Sequence, residues 1–330
     1  MWNELIDLAR WAPSPHNIQP WRMRIVSKSE AHVLYDPARL LPETDPTGRF
    51  SVVGLGIFLE TLRIAARARG ADVEVELATD RLEPGGDEPR LWAALRLVPY
   101  DGRPDLDPTL ILARRTSRLP YDGRAVSEKV IAELCDVADR FGYRLTTSSD
   151  PALVDWVLGL NRDTLFEDLL DPVGRRETGR WLRFSERDAE ARRDGFSPSA
   201  LGFPGRLLHA YFRLAPVFEL PGLRHAIRRL YFRTMRGTRT IAWFTGPFAA
   251  HADWVAAGRM LARAWLVLTA HGVHLHPFGS IITNRRANAA LQERIGADRE
   301  GELTWLIMRL GYSAEPPRSL RLETQELLVD

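Results

Sequence analysis

The chain has 330 residues, of which 27% are charged and 45% hydrophobic, a balance that excludes a disordered or fibrous protein and predicts about two globular domains. Its 45 basic and 43 acidic residues leave a net charge of +2, so general attraction to nucleic acid or membranes is weak. Because Cys135 is the single cysteine, an intrachain disulfide and a cysteine-rich metal site are excluded, and a cytoplasmic location is expected.

The first hundred residues predict helices and strands in alternation. A short helix from Asn3, which can cap it, reaches Trp11, because Pro13 stops it. A longer, largely apolar helix over residues 50–69 ends at Gly70. Strands are expected over residues 21–27, 32–35, 72–78 and 91–98.

Residues 99–108 are rich in proline, glycine and aspartate, which is typical of a linker. Beyond it, residues 150–236 are mostly helical in pattern. The longest apolar stretch, residues 252–270, contains three charged residues, so we interpret it as a buried helix and not as a membrane span. The remaining predicted elements are helices over 127–140, 252–271 and 285–295 and strands over 143–148, 238–245 and 303–310.

A weak internal repeat links the two parts of the chain. A shift of 202 residues places Gly56 on Gly258 and Gly70 on Gly272, and each helix is followed by an alternating segment. This correspondence predicts two similar halves; chance similarity between two buried helices is the alternative.

Residues 12–21, APSPHNIQPW, form the first segment that could carry chemistry. Three prolines make it rigid, and Ser14, Asn17 and Gln19 offer uncharged hydrogen-bonding groups. Such a loop suits a flat heteroaromatic ligand. The alternative is an ordinary connection from a helix to a strand.

Two arginine-rich segments could bind a phosphate. In RRTSR, an extended chain would direct Arg114, Thr116 and Arg118 to one side. In PPRSLR, Arg318 and Arg321 could reach the same phosphate. The alternatives are a solvated basic turn and a basic tail.

Two further segments leave alternatives open. His274 and His276 would share a strand face, but no acid or cysteine accompanies them to complete a zinc site. Pro277 and Gly279 follow, and they would let the main chain approach a ligand. Six arginines over residues 224–239 could form a nucleic-acid surface or the solvated side of an amphipathic helix. No dinucleotide-binding, phosphate-loop, metalloprotease or serine-hydrolase motif is present.

Taken together, these segments resemble the nitroreductase-like flavoprotein family. The loop is similar to a family pattern of roughly A-P-S-x-x-N-x-Q-P-W, and RRTSR is similar to R-x-[ST]-x-[RK]. The glycine–proline–glycine run over residues 272–279 and the strand and tail over 309–321 are similar too. In that family FMN lies between two subunits of a homodimer, each of which supplies part of the site.

The resemblance implies an unusual division of these parts. The loop lies in the first half of the chain and the arginine segments in the second. One chain would therefore imitate the dimer and hold one FMN, as in the fused, Acg-type branch of the family. The implied fold is α+β, with nitroreductase-like halves over residues 1–105 and 106–330, and a helical lid insertion at about 161–235. Such a chain could be a monomer.

The resemblance also assigns cofactor-binding residues, but no catalytic residue. The phosphate would be held by Arg114, Thr116, Arg118, Arg318 and Arg321. From the other half, FMN would meet Pro13, Ser14, Asn17 and Gln19. The edge of the ring that carries N5 would face Pro277, Gly279 and Ser280.

The expected function is an oxidoreductase that passes a hydride from NAD(P)H through FMN N5 to a nitro-aromatic, a quinone or a similar acceptor. The alternative is a non-catalytic, flavin-sequestering protein whose lid occludes the flavin. Neither nucleic acid nor membrane is expected as a partner.

Overall fold

The strands of the computed structural model, which describes residues 1–296 and 301–330, form two separate four-stranded sheets. The N-terminal sheet contains β1 (Trp21–Ile25), β2 (Glu30–Tyr35), β3 (Ala71–Leu77) and β4 (Arg90–Pro99). The C-terminal sheet contains β5 (Arg144–Ser148), β6 (Thr240–Gly246), β7 (His274–Pro277) and β8 (Leu303–Gly311).

The two sheets have the same topology. Their strand orders are β1-β2-β4-β3 and β5-β6-β8-β7, and all neighbouring strands are antiparallel. In both sheets the register shifts between the second and fourth strands of the half, after Val33 in one and after Phe244 in the other. The shared order and the shared irregularity confirm the predicted α+β fold of two related halves.

The helices divide into a central pair, a set packed on the sheets, and a long insertion between β5 and β6. In chain order they are α1 (Trp2–Ala9), α2 (Arg49–Arg67), α3 (Thr109–Ala113), α4 (Glu128–Asp139), α5 (Pro151–Asp168), α6 (Pro172–Arg180), α7 (Glu186–Arg192), α8 (Pro198–Leu201), α9 (Gly205–Arg213), α10 (Ala215–Phe218), α11 (Pro221–Arg233), α12 (His251–Ala270), α13 (Gly279–Thr283), α14 (Arg285–Ile295) and α15 (Thr324–Leu327).

Helices α2 and α12 form the centre of the molecule. They cross at the two glycines that the internal repeat places in register: a Cβ on Gly56 would lie 2.5 Å from the oxygen of Val255, and one on Gly258 would lie 2.2 Å from the oxygen of Val53. Only glycine permits this approach, which packs the halves into one hydrophobic core.

The charged residues of α12 have partners that explain their place in an apolar helix. Asp253 accepts hydrogen bonds from two backbone N–H groups at the start of the helix. Arg259 and Arg263 pair with Glu60 of α2 at 2.8 and 2.5 Å, and Glu60 is fully buried. Across the described residues, each helix is too short or too polar to span a bilayer.

Most elements lie where the sequence predicts them, and the first helix is the exception at its start. Helix α1 begins at Trp2, so Asn3 is inside it and does not cap it; Met1 occupies the N-cap position. The reason is packing: Trp2, Leu5, Ile6 and Ala9 share one face and are all buried, which extends the helix towards the terminus.

The C-terminal tail leaves its own half. Leu328 forms a parallel bridge with Met23, and the N–H of Val329 donates to the oxygen of Met23 at 2.9 Å. The tail therefore borders the N-terminal sheet at β1, and residues 312–323 cross the seam between the halves on the way.

Candidate functional site

The RRTSR segment lies along the edge of the C-terminal sheet. Thr116 bridges Leu275 of β7 in parallel, and the N–H of Ser117 donates to the oxygen of Leu275 at 3.2 Å. The segment is therefore extended, as the sequence predicts, with Ser117 buried. Since side chains alternate along an extended chain, Arg114, Thr116 and Arg118 lie on the opposite side from Ser117.

The loop that follows α1 has a strained backbone. His16, Asn17 and Gln19 have φ values of 46°, 56° and 47°, a left-handed conformation that residues other than glycine rarely adopt. The hydroxyl of Ser14 accepts a hydrogen bond from the N–H of Gln19 at 2.9 Å and closes the loop. Strain of this kind persists where surrounding contacts enforce it, and it is concentrated at functional sites.

Hydrogen bonds connect this loop to the crossing tail. The side-chain amide of Asn17 donates to the oxygen of Leu320 at 3.0 Å, and the N–H of Leu322 donates to Gln19 Oε1 at 2.8 Å. Arg321 Nε donates to the oxygen of Ala12 at 3.1 Å. The first and third predicted segments, 300 residues apart in sequence, thus lie side by side.

Two of the three segments, RRTSR and the crossing tail, border one recess at the seam, and the residue directly before the loop lines it too. Trp11 and Ile111 form its apolar part, and its polar part is formed by Arg114, Arg115, Thr116, Arg318, Ser319 and Arg321. No carboxylate is among the described lining residues. Four guanidinium groups around a recess without acids are a strong attraction for an anion.

The electrostatic cost of this cluster is evident from its pKa values. Burial, with repulsion from Arg115 and Arg318, lowers the pKa of Arg114 to about 9. Desolvation and neighbouring arginines lower the pKa of Arg318 to about 10 and that of Arg321 well below its usual range. Burial and mutual repulsion make this cluster of positive charges unfavourable, and a bound anion would relieve the repulsion.

Aromatic rings and backbone carbonyls hold these arginines in place. Arg318 lies 3.3 Å from the centre of the Trp11 ring, and Arg114 lies 4.6 Å from the ring of Trp265. Arg114 also donates to the oxygen of Trp11 at 3.3 Å, but its buried Nη1 has no partner among the described residues. A buried guanidinium nitrogen without such a partner, on a residue that lines the recess, is suited to a phosphate oxygen.

Arg118 extends the positive charge towards the C-terminal sheet. It lies 4.8 Å from the ring of Phe196 and donates to the oxygen of Ala200 at 3.3 Å, and burial lowers its pKa to about 10. It is not among the residues that line the recess, so the structure separates it from Arg114 and Thr116.

Arg309 is a second buried cation near Arg118, and it was not predicted. It donates to the oxygens of Ser117 and Leu119 at 3.3 and 3.0 Å and packs on the ring of Tyr121. It also donates to Nδ1 of His276 at 3.3 Å. The available signal was an arginine within the otherwise apolar strand LTWLIMRLG.

The predicted proline–glycine edge lies beside Arg118 and not at the recess. Thr116 and Leu275 are bridged in parallel. Arg118 lies two residues after Thr116 and Pro277 lies two residues after Leu275, so a continued parallel register places them next to each other. Gly279 is exposed at the start of α13, whereas Ser280 lies near Asp168 of the insertion. None of Pro277, Gly279 and Ser280 is among the described residues that line the recess.

Comparisons with known proteins bear on this arrangement. No protein-family model matches the chain. It is 25% identical over 309 residues to PigM, a probable NAD(P)H nitroreductase of Serratia sp., and the match covers 88% of this chain and 83% of PigM. It is 35% identical over 119 residues to acg, a candidate NAD(P)H nitroreductase of Mycobacterium tuberculosis. That match covers 35% of this chain and 34% of acg.

These curated relatives support the resemblance of the chain to the nitroreductase-like family. Among solved structures, a variant of the FMN- and NADPH-dependent nitroreductase NfnB of Sphingopyxis sp. strain HMH aligns with a TM-score of 0.41 and 13% identity, over 67% of this chain and 96% of that one.

In this chain the insertion covers the strained loop. The N–H of Gly195 donates to the oxygen of Asn17 at 3.2 Å, and the Asn17 amide donates back to the oxygen of Gly195 at 3.0 Å. Gln19 Nε2 donates to the oxygen of Arg193 at 3.0 Å. The ring of Phe196 follows, 5.6 Å from that of His16.

Two carboxylates fasten the insertion to the N-terminal half. Buried Asp194 pairs with Arg183 of the insertion and, at 3.1 Å, with Arg39 of the other half. Glu177 accepts hydrogen bonds from the hydroxyl and N–H of Thr44 at 2.6 and 2.8 Å. We name this pair, Asp194 and Glu177 with their partners, the clasp. The sequence contained no local signal for it, because its contacts with the N-terminal half join residues more than 130 positions apart.

The histidines before and within β7 have different surroundings. His271 pairs with Glu133 at 2.8 Å, and burial lowers the pKa values of His274 and His276. No group of three metal-binding side chains occurs within residues 1–296 and 301–330.

Proposed function

We propose that this chain binds FMN at the seam and transfers a hydride from NAD(P)H to a nitro-aromatic, a quinone or a similar acceptor. The observation that carries the proposal is the recess: four arginines without a carboxylate, next to a strained polar loop from the opposite half. FMN, when bound, supplies the redox chemistry by accepting and releasing a hydride at N5.

The residues at the recess fit a flavin phosphate. Arg114, Arg318 and Arg321 offer forked donors, and Thr116 adds a hydroxyl. The unpartnered Nη1 of Arg114 would gain a phosphate oxygen as acceptor. The pairing would also offset the cost of burying clustered positive charge.

The flavin ring would lie towards Arg118, between the loop and the end of β7. Asn17 Oδ1 is buried and has no partner among the described residues, so it could accept from a ring N–H. Pro13, Ser14 and Gln19 would complete the wall from the loop, and Pro277, Gly279 and Ser280 would complete the opposite edge. The positive charges of Arg118 and Arg309 would stabilise the negative charge of a reduced flavin. No protein acid or nucleophile is required.

We further propose that one chain performs the role of a family homodimer, as in the Acg-type branch, with halves over residues 1–105 and 106–330. Three observations support this division: the equal strand order of the two sheets, the crossing of the central helices at Gly56 and Gly258, and the C-terminal tail that reaches the N-terminal sheet. One seam would then hold one FMN.

The test is the visible absorption spectrum of the purified protein before and after anaerobic addition of NADPH. Bound FMN should give the flavin bands, NADPH should bleach them, and a nitro-aromatic or quinone should restore them. Arg114→Ala and Arg318→Ala should each weaken FMN binding about tenfold or more, since a charge-assisted hydrogen bond is lost. Arg294→Ala, an exposed arginine on α14, is the control. No flavin after reconstitution with FMN would reject the proposal.

The clasp favours a second candidate function, a protein that sequesters FMN without turnover. Hydrogen bonds from the insertion cover Asn17 and Gln19, and buried Asp194 holds the covering segment in place. A closed cover would exclude nicotinamide and acceptor alike.

The rate at which NADPH bleaches the bound flavin decides between the two. Asp194→Asn weakens the clasp without touching the recess. If the wild type is not bleached within minutes and Asp194→Asn is, the cover sequesters FMN. If the wild type is bleached in milliseconds to seconds, the oxidoreductase stands. Thr44→Val, which removes a single clasp hydrogen bond, should give an intermediate rate under sequestration.

A further inference from the structure

A second, larger cavity lies within the insertion, between α5 and α11. Its volume is about 720 Å³, within the range of sites that hold a nucleotide-sized ligand. We name it the insertion groove. Its lining residues are Arg162, Asp163, Glu219, Pro221, Arg224, His225, Arg228, Arg229 and Phe232.

One face of α11 forms most of the groove. Pro221, His225, Arg228 and Phe232 follow each other at intervals of four, three and four residues, which places them in one stripe along the helix. Arg224 and Arg229 flank this stripe. No residue of α11 is fully buried, so the stripe is accessible from outside.

The charges of the groove do not balance. Asp163 pairs with Arg162 at 2.8 Å and with Arg228 at 3.5 Å, and Glu219 pairs with Arg228 at 3.5 Å. Arg224 and Arg229 have no carboxylate partner among the described residues. Four arginines against two acids leave two positive charges, which matches the charge of a phosphate monoester.

The groove also offers an apolar surface. The ring of Phe232 lies at one end of the stripe, with Arg162 5.3 Å from its centre, and Pro221 lies at the other end. A flat aromatic base can stack on such a ring or guanidinium plane. Charge and surface together favour a nucleotide over inorganic phosphate alone.

The side of α11 next to the groove, which carries Tyr231, is directed towards Arg118. Tyr231 is hydrogen-bonded to Asn161 at 2.8 Å, and the charge of Arg118 acts on it. Helix α11 therefore extends from the groove to the surroundings of Arg118, and its diameter with side chains is about 10–12 Å. A dinucleotide is long enough to span that thickness.

We infer that the insertion groove binds the 2′-phosphorylated adenosine end of NADPH, with Arg224 and Arg229 as the phosphate-binding residues. The inference rests on the proposed function and deepens it, because it selects NADPH over NADH as the reductant. NADH lacks the 2′-phosphate and would leave both arginines without an anion.

The test is titration calorimetry with 2′,5′-ADP, a probe that does not involve the flavin. The wild type should bind 2′,5′-ADP about tenfold or more tightly than 5′-AMP or inorganic phosphate. Arg224→Ala with Arg229→Ala should remove that preference. The matched control is Arg233→Ala, an exposed arginine of α11 outside the groove, which should bind as the wild type does. Circular dichroism of each variant checks that α11 remains folded.

The outcomes separate this inference from the proposed function. If FMN binds but 2′,5′-ADP does not, the inference is wrong and the flavin site stands. If 2′,5′-ADP binds and FMN does not, the groove stands as a nucleotide site without the flavin chemistry. Equal affinity for inorganic phosphate, or an oligonucleotide whose binding also needs Arg233, would overturn the inference in favour of a general anion or nucleic-acid surface.

Discussion

Replacement of Gly258 by alanine should loosen the contact that joins the two halves. The new Cβ would lie 2.2 Å from the oxygen of Val53 and 2.9 Å from the Cα of Gly56. Both neighbours are backbone atoms of α2, so no side chain can rotate away. The two central helices must therefore move apart.

The size of the effect follows from these distances. An ordinary contact begins at 3.4 Å, so the helices must separate by about 1.2 Å along that direction. Overpacking that shifts the backbone costs about 3 kcal/mol at the upper end of its usual range. Alanine recovers about 1 kcal/mol through its higher helix propensity. We expect a net loss of about 2 kcal/mol in the free energy of unfolding.

Urea denaturation of Gly258→Ala beside Gly159→Ala provides a matched assay. Gly159 lies within α5, and no described atom is within 4 Å of its Cβ position. The same change there should raise the free energy of unfolding by about 1 kcal/mol. The two variants should thus differ by about 3 kcal/mol. Equal stability of the two would refute the argument that the helices cross at the glycines.

Three further predictions concern buried charge, pH and a helix cap. Glu60→Gln leaves Arg259 and Arg263 without the buried carboxylate that they share. The free energy of unfolding should fall by about 3 kcal/mol. A loss below about 1 kcal/mol would show that solvent screens the ion pairs of Glu60 with the two arginines. Burial lowers the pKa of His16 to about 4 from 6.5, so the unfolded state takes up the proton first and stability falls as the pH drops from 6.5 towards 4. The loss at pH 5 should be about 2 kcal/mol and absent in His16→Asn, which tolerates the positive φ; an unchanged pH profile would contradict it. Ser127 caps α4 through the N–H of Val130, so Ser127→Ala should cost about 1 kcal/mol in thermal or urea unfolding, and no change would mean that water replaces the cap.

Local patterns predicted most elements of this fold. Asn284 caps α14 through two backbone N–H groups, and Gly296 ends it at a φ of 61°, because both features depend on residues within one or two turns. The alternation of residues 72–78 likewise defines β3 within one residue at each end. The correspondence of Gly56 with Gly258 was visible because both halves keep the same helix and glycine spacing, but their close contact is a finding of the structure.

The candidate site was predictable in part. The sequence indicated the strained loop and the two arginine segments by composition, and the structure brings Arg114, Thr116, Arg318 and Arg321 to one recess. It does not bring Arg118 there. Nothing in a local pattern reports the buried position of Arg309, because its partners come from three separate segments.

The sequence alone determined the helices, the strands and the chemical character of the site segments, since propensity, periodicity and capping act between near neighbours. Only the tertiary structure decided how the tail crosses to β1, how the clasp fastens the insertion over the loop, and which arginines share a recess. Those contacts join residues more than 100 positions apart, and they form only when the packing of α2 on α12 has placed the two sheets.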